Sequence, residues 1–92
     1  MENRIENQTA KVVIYTKDPC PYCVRAMNFF EEYGIQYEEI DLTDKPQEID
    51  RIKNETGWRT VPIIMINNTL IGGYSDMKNL DEEGKLESLL KS

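Results

Sequence analysis

The run Val12-Val13-Ile14-Tyr15 limits the possible folds of this chain more than any other feature. Its residues are β-branched or aromatic and do not alternate with polar ones, a pattern typical of a strand covered on both faces. Such a strand lies in the middle of a sheet with helices on either side. Because 92 residues suffice for a single domain with one core, we predict an α/β domain that begins near Lys11 and is built around this strand.

The residues that follow predict a helix, a second strand and a second helix. Apolar residues recur at helical spacing from Tyr22 onward, and Gly34 is placed to end that helix as its C-terminal cap. Residues 37–42 alternate well enough for a strand, and Pro46 suits the first turn of a helix that ends at Gly57. Two strands joined through a helix are most simply parallel, with a right-handed crossover.

Two apolar runs on either side of Asn67-Asn68 predict an antiparallel hairpin. The runs cover residues 63–66 and 69–71, and asparagine tolerates the positive φ that a two-residue hairpin turn requires. They supply a third and a fourth strand. The complete prediction is a four-stranded mixed sheet with helices on its faces.

The two ends of the chain differ in pattern. At the C-terminus, Ser75 is predicted to cap a short helix that starts at Asp76, and a further leucine-rich helical segment is interrupted near Gly84. At the N-terminus, residues 1–10 are polar and lack apolar periodicity. We therefore predict a frayed polar extension over residues 1–10 and one domain over residues 11–92.

Composition and charge exclude several classes of function. Hydrophobic residues at 39% and charged residues at 30% are typical of a globular domain rather than a disordered or membrane-embedded chain. The absence of histidine excludes imidazole catalysis and histidine metal sites. The formal net charge of -6 weighs against nucleic acid as a partner, and most of the acidity lies in residues 31–50, which we expect to be solvated.

No segment of the sequence indicates export or membrane insertion. The first residues carry charges where a secretory signal would be apolar, and no later stretch approaches the roughly 18 apolar residues that a membrane helix needs. We therefore expect a cytoplasmic protein. In that reducing compartment a close cysteine pair is more often catalytic or metal-binding than structural.

The cysteine pair Cys20 and Cys23 lies where the first strand gives way to the first helix. Unpaired N–H groups and the positive end of the helix dipole stabilise an anion at such a junction, and Lys17 is the nearest cation. Cys23 falls one turn into the helix on its apolar face and is expected to be less exposed. We therefore assign Cys20 as the nucleophile and Cys23 as the resolving thiol.

Half of a zinc site is the alternative interpretation of Cys-x-x-Cys. A tetrahedral site needs four ligands, and this chain has no further cysteine and no histidine, so zinc would require two chains. Pro21 also fits the first turn of a helix better than a metal knuckle. Redox chemistry is therefore favoured, and no metal is expected.

Three motifs in order resemble the signature of a dithiol glutaredoxin, over residues 11 to about 90. They are Cys20-Pro21-Tyr22-Cys23 with Lys17 before it, Thr60-Val61-Pro62, and Gly72-Gly73-Tyr74-Ser75-Asp76. The resemblance implies a thioredoxin fold with sheet order 2-1-3-4 and glutathione as the reducing co-substrate. It also implies disulfide-containing and glutathionylated proteins as partners. Ribonucleotide reductase is a candidate partner, and we expect a monomer.

The resemblance also implies how glutathione is bound. Val61, before a cis Pro62 and after Thr60, would pair its backbone with the cysteinyl part of glutathione like an added strand, with Tyr22 flanking the same groove. Lys17 would take the glycyl carboxylate.

The third motif would bind the γ-glutamyl end. Gly73 lets the backbone approach, Ser75 and the following helix start would bind the carboxylate, and Asp76 would take the ammonium group. Tyr74 occupies a position where a further cysteine can occur in the family, so this chain has no third thiol. Trp58 has two open roles, core packing or the rim of the groove.

Two functions of other classes also remain open. One is a glutathione-ligated iron–sulfur carrier in which two chains each supply a thiolate, which Pro21 disfavours. The other is an electron donor recycled by thioredoxin reductase, which does not need the glutathione pocket that Ser75 and Asp76 indicate. A non-catalytic binding module would not need the paired thiols at all.

Overall fold

The computed structural model describes residues 8–91, and its sheet is organised around the strand predicted from the run at residues 12–15. This strand, β1, has a parallel neighbour on one side and an antiparallel neighbour on the other. The sheet order is β2-β1-β3-β4, so the predicted α/β fold with order 2-1-3-4 is confirmed. The described elements are β1 (Val12–Thr16), α1 (Pro21–Glu32), β2 (Glu38–Asp41), α2 (Pro46–Thr56), β3 (Ile63–Ile66), β4 (Thr69–Gly72), α3 (Tyr74–Glu82) and α4 (Leu86–Leu90).

Glycine and asparagine end or turn the elements at the predicted points. Gly34 follows α1 with φ 69°, and Gly57 ends α2 with φ 73°. Asn67 and Asn68, with φ 50° and 63°, form the turn between β3 and β4. These conformations are the left-handed ones that glycine and asparagine adopt at the least cost.

The sheet separates two hydrophobic clusters because successive side chains of a strand point to opposite faces. On one face α1, α3 and α4 pack on β1 and β3, with Phe30, Ile14 and Ile64 almost fully buried. On the other face, Ile49 and Ile52 of α2 pack against Ile63 of β3. Of the helices that the structure describes, three therefore lie on one face of the sheet and one lies on the other.

The start of α3 differs from the prediction. The helix begins at Tyr74 rather than Asp76, and Gly73 rather than Ser75 is its N-cap. The physical reason is that the carboxylate of Asp76 reaches back and accepts the N–H of Gly73 at 3.0 Å, which satisfies a donor at the helix start without the Ser75 hydroxyl. Ser75 consequently lies within the first turn and is exposed.

Residues 8–10, the last part of the predicted N-terminal extension, contact the domain. The N–H groups of Thr9 and Ala10 both donate to the carbonyl of Leu90 at 3.0 Å, and Ala10 is buried. The side chain of Gln8 bonds with both the N–H and the carbonyl of Gln36. Residues 1–7 of the extension lie outside the described residues.

No helix within residues 8–91 is long and apolar enough to cross a membrane.

Candidate active site

Cys20 and Cys23 lie at the N-terminus of α1 and are joined by a disulfide. Cys20 is the N-cap, and its Sγ accepts the N–H of Cys23 at 3.1 Å. Pro21 occupies the first turn, where its missing N–H removes no helical hydrogen bond. The sulfur of Cys20 therefore sits at the positive end of a helix of 12 residues, in contact with one of its unpaired backbone donors.

The two cysteines differ sharply in exposure. Cys23 is 2% exposed, on the buried face of α1 with Ala26 and Phe30, whereas Cys20 is only partly buried. An incoming disulfide can thus reach Cys20 but not Cys23. This asymmetry is the one predicted from the helical spacing of the pair.

A groove of about 180 Å³ is lined by Tyr22, which lies between the two cysteines in the sequence, and we call it the active-site groove. Every residue predicted to bind glutathione lines it except Lys17, which is exposed on the loop before α1. One residue outside the predicted set, Trp58, completes the wall. The lining residues are Tyr22, Trp58, Thr60, Val61, Pro62, Gly73, Tyr74, Ser75 and Asp76.

One wall of the groove is the segment that leads into β3. The Val61-Pro62 peptide bond is cis, as the resemblance implied, and Pro62 is buried. Pairing of β3 with β1 begins at Ile63, so Val61 stands outside the ladder of the described sheet. Its backbone groups are in a position to pair with an extended peptide.

The opposite wall is the turn into α3, where Gly72 has φ 117°. A Cβ at Gly72 would lie 2.8 Å from Oδ2 of Asp76, the atom that accepts the Gly73 N–H. Glycine is therefore required for the carboxylate to occupy its position in the groove. The exposed Ser75 and the N-terminal N–H groups of α3 lie next to it, so this end of the groove offers donors for an anion and a carboxylate for a cation.

Two aromatic rings connect the cysteine helix to α3. The rings of Tyr22 and Tyr74 have centroids 6.2 Å apart, and the guanidinium of Arg25 lies 5.1 Å from the Tyr22 centroid. Tyr22 is 53% exposed, which is high for a large apolar side chain. The rim of the groove near Cys20 is therefore aromatic and accessible.

Trp58 has both of the roles that its sequence position left open. It lines the groove and also packs against the hydrophobic cluster beneath α2. Its Nε1 is buried and has no hydrogen-bond partner within residues 8–91. The signal in the sequence was its position two residues before Thr60, but only the fold shows that the indole reaches the groove.

The turn after β2 holds the loop before Cys20, and the sequence pattern did not predict this contact. The N–H of Asp18 donates to the hydroxyl of Thr43 at 3.0 Å, and the N–H of Thr43 donates to Asp41 at 2.9 Å. The hydrogen bonds that the hydroxyl and N–H of Thr43 donate lower the pKa of the Asp41 carboxyl. The Asp18-Pro19 bond in the same loop is cis.

The described residues contain no cluster of three or more His, Cys, Asp or Glu side chains that could hold a metal ion. The groups that could bind a small molecule are instead those of the active-site groove, which combines backbone donors, a carboxylate and aromatic rings. Such a mixture suits a zwitterionic peptide rather than an apolar ligand.

A cysteine pair at the N-terminus of a helix that follows a central strand, beside a cis-proline segment, defines a thiol–disulfide oxidoreductase of the thioredoxin fold. The family model for glutaredoxin matches residues 12–71. Glutaredoxin 1 of Rickettsia prowazekii is 40% identical over 82 residues, which are 87% of this chain and 86% of that protein. The chain therefore belongs to the glutaredoxin family, whose members are glutathione-dependent thiol–disulfide oxidoreductases.

Two further relatives agree in sequence and structure. Glutaredoxin of Pseudomonas aeruginosa is 40% identical over 81 residues, covering 88% of this chain and 96% of that protein. The crystal structure of a buckwheat glutaredoxin–glutathione complex aligns with a TM-score of 0.79 at 31% identity, over 86% of this chain and 74% of that one. The similarity thus extends over most of the described domain.

Proposed function

We propose that this protein reduces glutathione mixed disulfides through Cys20 alone and protein disulfides through Cys20 together with Cys23. The observation that carries the proposal is the position of Cys20: a partly exposed sulfur at the N-cap of α1, in contact with the Cys23 N–H and beside the active-site groove. Glutathione is the peptide that we assign to that groove, and the buckwheat glutaredoxin that aligns with this chain forms a complex with it.

The groove is suited to hold glutathione as an added strand. The cysteinyl backbone of glutathione pairs with Val61, next to Thr60 and Pro62, which directs its sulfur toward Cys20. The γ-glutamyl carboxylate binds Ser75 and the N–H groups that start α3, and the ammonium group binds Asp76.

Further residues complete the binding site in this proposal. Gly73 allows close approach of the γ-glutamyl end, and a Cβ there would stand 3.8 Å from the carbonyl of Pro62. Tyr22 and Tyr74 cover the sulfur from the α1–α3 side. We assign Lys17 to the glycyl carboxylate because its long side chain is exposed and lies on the loop that leads to Cys20. Lys17 does not line the groove itself.

The reaction proceeds by two thiol–disulfide exchanges. The Cys20 thiolate attacks the glutathionyl sulfur of the mixed disulfide, the bond to the target sulfur breaks, and the target cysteine leaves as a thiolate that takes up a proton. A second glutathione, as its thiolate, then attacks the glutathionyl sulfur on Cys20. Glutathione disulfide forms, and the Cys20 thiolate is regenerated.

Cys23 is needed only when the substrate is a protein disulfide. Cys20 then forms a mixed disulfide with the protein, and the Cys23 thiolate attacks Cys20, so that the reduced protein leaves and the Cys20–Cys23 disulfide remains. Two molecules of glutathione reduce that disulfide. The burial of Cys23 keeps this thiol from reacting with other disulfides.

The test is NADPH consumption in an assay coupled to glutathione reductase, with a small glutathione mixed disulfide as substrate. We expect Cys20→Ser to abolish turnover, because the nucleophile is lost. Cys23→Ser should retain turnover, because the monothiol route does not use Cys23. With a protein disulfide as substrate, both variants should lose turnover.

Each outcome of this assay is decisive. If wild-type protein shows no glutathione-dependent turnover, the assignment of glutathione to the groove is wrong. If Cys23→Ser loses deglutathionylation as completely as Cys20→Ser, the roles of the two thiols are wrong. NADPH oxidation with thioredoxin reductase in the absence of glutathione would favour the thioredoxin reductase-coupled donor instead.

We also propose that the protein acts as a monomer in the cytoplasm, where glutathione is abundant and reduced. Fractionation of cells that express it from its own promoter, together with sedimentation of the purified protein, tests both statements. A dimer, or recovery outside the cytoplasmic fraction, would contradict them.

A further inference from the structure

A second groove of about 250 Å³ runs between α1 and α3 on the side of Tyr74 away from Thr60 and Pro62. We call it the α1–α3 groove, and its walls include Arg25, Phe29 and Glu32 of α1 with Tyr74 and Lys78 of α3. Among residues 8–91, it contains none of the residues of the Thr60-Val61-Pro62 segment and shares only Tyr74 with the lining of the active-site groove. The proposed reaction therefore leaves it without a role.

The cations of this groove lack carboxylate partners among residues 8–91. Each stacks on a ring instead, Arg25 over Tyr22 and Lys78 over Phe29 at 5.7 Å from its centroid. Ring stacking holds the two side chains in place and leaves their charges available. In a chain of net charge -6, Arg25 and Lys78 make one part of this groove positive. Two carboxylates lie in its other part, Glu32 and also Asp81, which accepts from the hydroxyl of the lining residue Tyr33 at 3.4 Å.

The α1–α3 groove adjoins the active-site groove at Tyr74. Tyr74 lines both, and its ring contacts that of Tyr22, two residues from Cys20. The exposed large hydrophobic side chains of the described residues, Tyr22 at 53% and Val24 at 54%, also lie in the first turn of α1. An accessible aromatic side chain, Tyr22, next to cations that have no carboxylate partner within residues 8–91 is typical of a surface that contacts a protein partner.

We propose that the α1–α3 groove docks the polypeptide of the mixed-disulfide substrate and favours target cysteines that have acidic residues close by. The inference rests on the proposed function, since it assigns the two grooves to the two halves of one substrate. Glutathione occupies one groove, and the target chain occupies the other. Arg25 lies about 7.5 Å along the helix axis from the Cys20 position, given the rise per residue, so the carboxylates must be within a few residues of the target cysteine.

The distal Glu32 restricts the preference further. It stands at the last residue of α1, about 15 Å along the axis from Tyr22. Acidic residues far from the target cysteine would be repelled by the Glu32 carboxylate and would not strengthen binding. The groove thus selects acidic side chains near the disulfide rather than acidic chains in general.

The test uses two glutathionylated peptides of the same length, with glutamate or glutamine at the three positions after the cysteine. The measured quantity is the ratio of kcat/KM for the glutamate peptide to that for the glutamine peptide, within each variant. We expect wild-type protein to prefer the glutamate peptide by about three- to tenfold at low ionic strength, given the usual strength of exposed charge pairs. The preference should disappear in about 0.5 M salt, where the screening length is a few ångströms.

Charge-reversal variants locate the effect. Lys78→Glu and Arg25→Glu should each bring the ratio to about one or below, since a cation becomes a repelling carboxylate. Lys45→Glu changes the net charge equally but lies at the N-cap of α2, on the opposite face of the sheet, and should keep the wild-type ratio. Glu32→Gln should raise the ratio.

The outcomes separate this inference from the proposed function. A wild-type ratio near one, or an equal loss in Lys45→Glu and Lys78→Glu, would overturn the docking assignment while turnover of a small mixed disulfide still supports the enzyme activity. Failure of the wild-type protein to reduce the small mixed disulfide would instead overturn the proposed function. Circular dichroism of each variant shows that the fold is intact.

Discussion

At the scale of single residues, Gly72 shows how one backbone conformation positions a functional group. Its φ of 117° lies in a region that residues with a side chain rarely adopt, and its missing Cβ leaves room for the Asp76 carboxylate. Asp76 uses one oxygen to cap α3 and is assigned the ammonium group of glutathione. Loss of the glycine should therefore affect the helix start and substrate binding together.

We expect Gly72→Ala to raise KM for a glutathione mixed disulfide about tenfold, the order of effect of one hydrogen bond to a charged group. The displaced Asp76 loses its bond to Gly73 and its position in the groove. The variant should also be destabilised by about 1–2 kcal/mol, because alanine is strained at this φ. Steady-state kinetics and thermal unfolding measure the two effects.

Gly57→Ala is the matched control for this prediction. Gly57 also has positive φ, 73°, but a Cβ there would meet nothing within 4 Å. The control should therefore lose stability from backbone strain while KM stays at the wild-type value. An equal rise of KM in both variants would show that strain alone, and not the position of Asp76, controls binding.

The residues of the site differ in how far the sequence could predict them. Cys20 and Cys23 followed from their spacing and from the strand-to-helix transition, which depend on local sequence alone. The place of Trp58 in the groove depends on contacts between segments distant in the sequence. The same is true of the α1–α3 groove, which forms only when the two helices pack together.

At the scale of elements, the β2–α2 turn supports the loop that carries Cys20. The hydroxyl of Thr43 accepts the N–H of Asp18, two residues before Cys20 at the start of α1. We expect Thr43→Val to lower kcat/KM about three- to tenfold, because the Asp18 N–H loses its acceptor and the loop is less constrained. Thr43→Ser keeps the hydroxyl and should restore activity, whereas an equally inactive serine variant would contradict this role.

A second link joins α1 to the segment before β2. The Tyr37 hydroxyl donates to Glu31 at 2.9 Å. Burial, followed by the hydrogen bond to Glu31 and the negative charges of Glu31 and Glu39, raises the pKa of Tyr37 to about 12. Because the pKa is higher in the folded chain than the usual value near 10, neutral Tyr37 stabilises the fold below about pH 10, and this contribution is lost as the pH rises toward about 12.

Phenolate absorbance tests this link among the five tyrosines of the chain. We expect one late ionisation near pH 12 in the wild type that is absent from Tyr37→Phe. Glu31→Gln should shift the late ionisation to lower pH without bringing it to the usual value, because burial is the larger cause. A late ionisation that persists in Tyr37→Phe would assign the raised pKa to another tyrosine.

The elements themselves were predictable where local chemistry determines them. The β-branched run of β1, the glycines after α1 and α2, and the Asn67-Asn68 turn each specify a conformation within a few residues. The start of α3 was not predictable in this way. By propensity, serine is a better N-cap than glycine. The Asp76 carboxylate, three residues after Gly73, nevertheless accepts the Gly73 N–H. As a result, the helix starts two residues earlier than predicted.

At the scale of the whole molecule, the sheet makes the two hydrophobic clusters mutually dependent. Ile63 belongs to the cluster under α2, whereas its neighbour Ile64 belongs to the cluster under α1, α3 and α4. A change in the packing of one face therefore alters the strand that supports the other. In a single domain within a chain of 92 residues, we expect both clusters to unfold in one transition.

Phe30→Ala tests this dependence by changing one cluster while the other is observed. Phe30 is 1% exposed in the cluster under α1. Trp58, the single tryptophan, packs against the other cluster and reports on it. The substitution should cost about 3–5 kcal/mol and lower Tm by more than about 10 °C. Because the clusters share the sheet, the transitions followed by Trp58 fluorescence and by far-ultraviolet circular dichroism should move together. The exposed Val24→Ala in the same helix should leave Tm nearly unchanged. If the fluorescence transition stays at the wild-type temperature while the circular dichroism transition falls, the two faces of the sheet unfold independently.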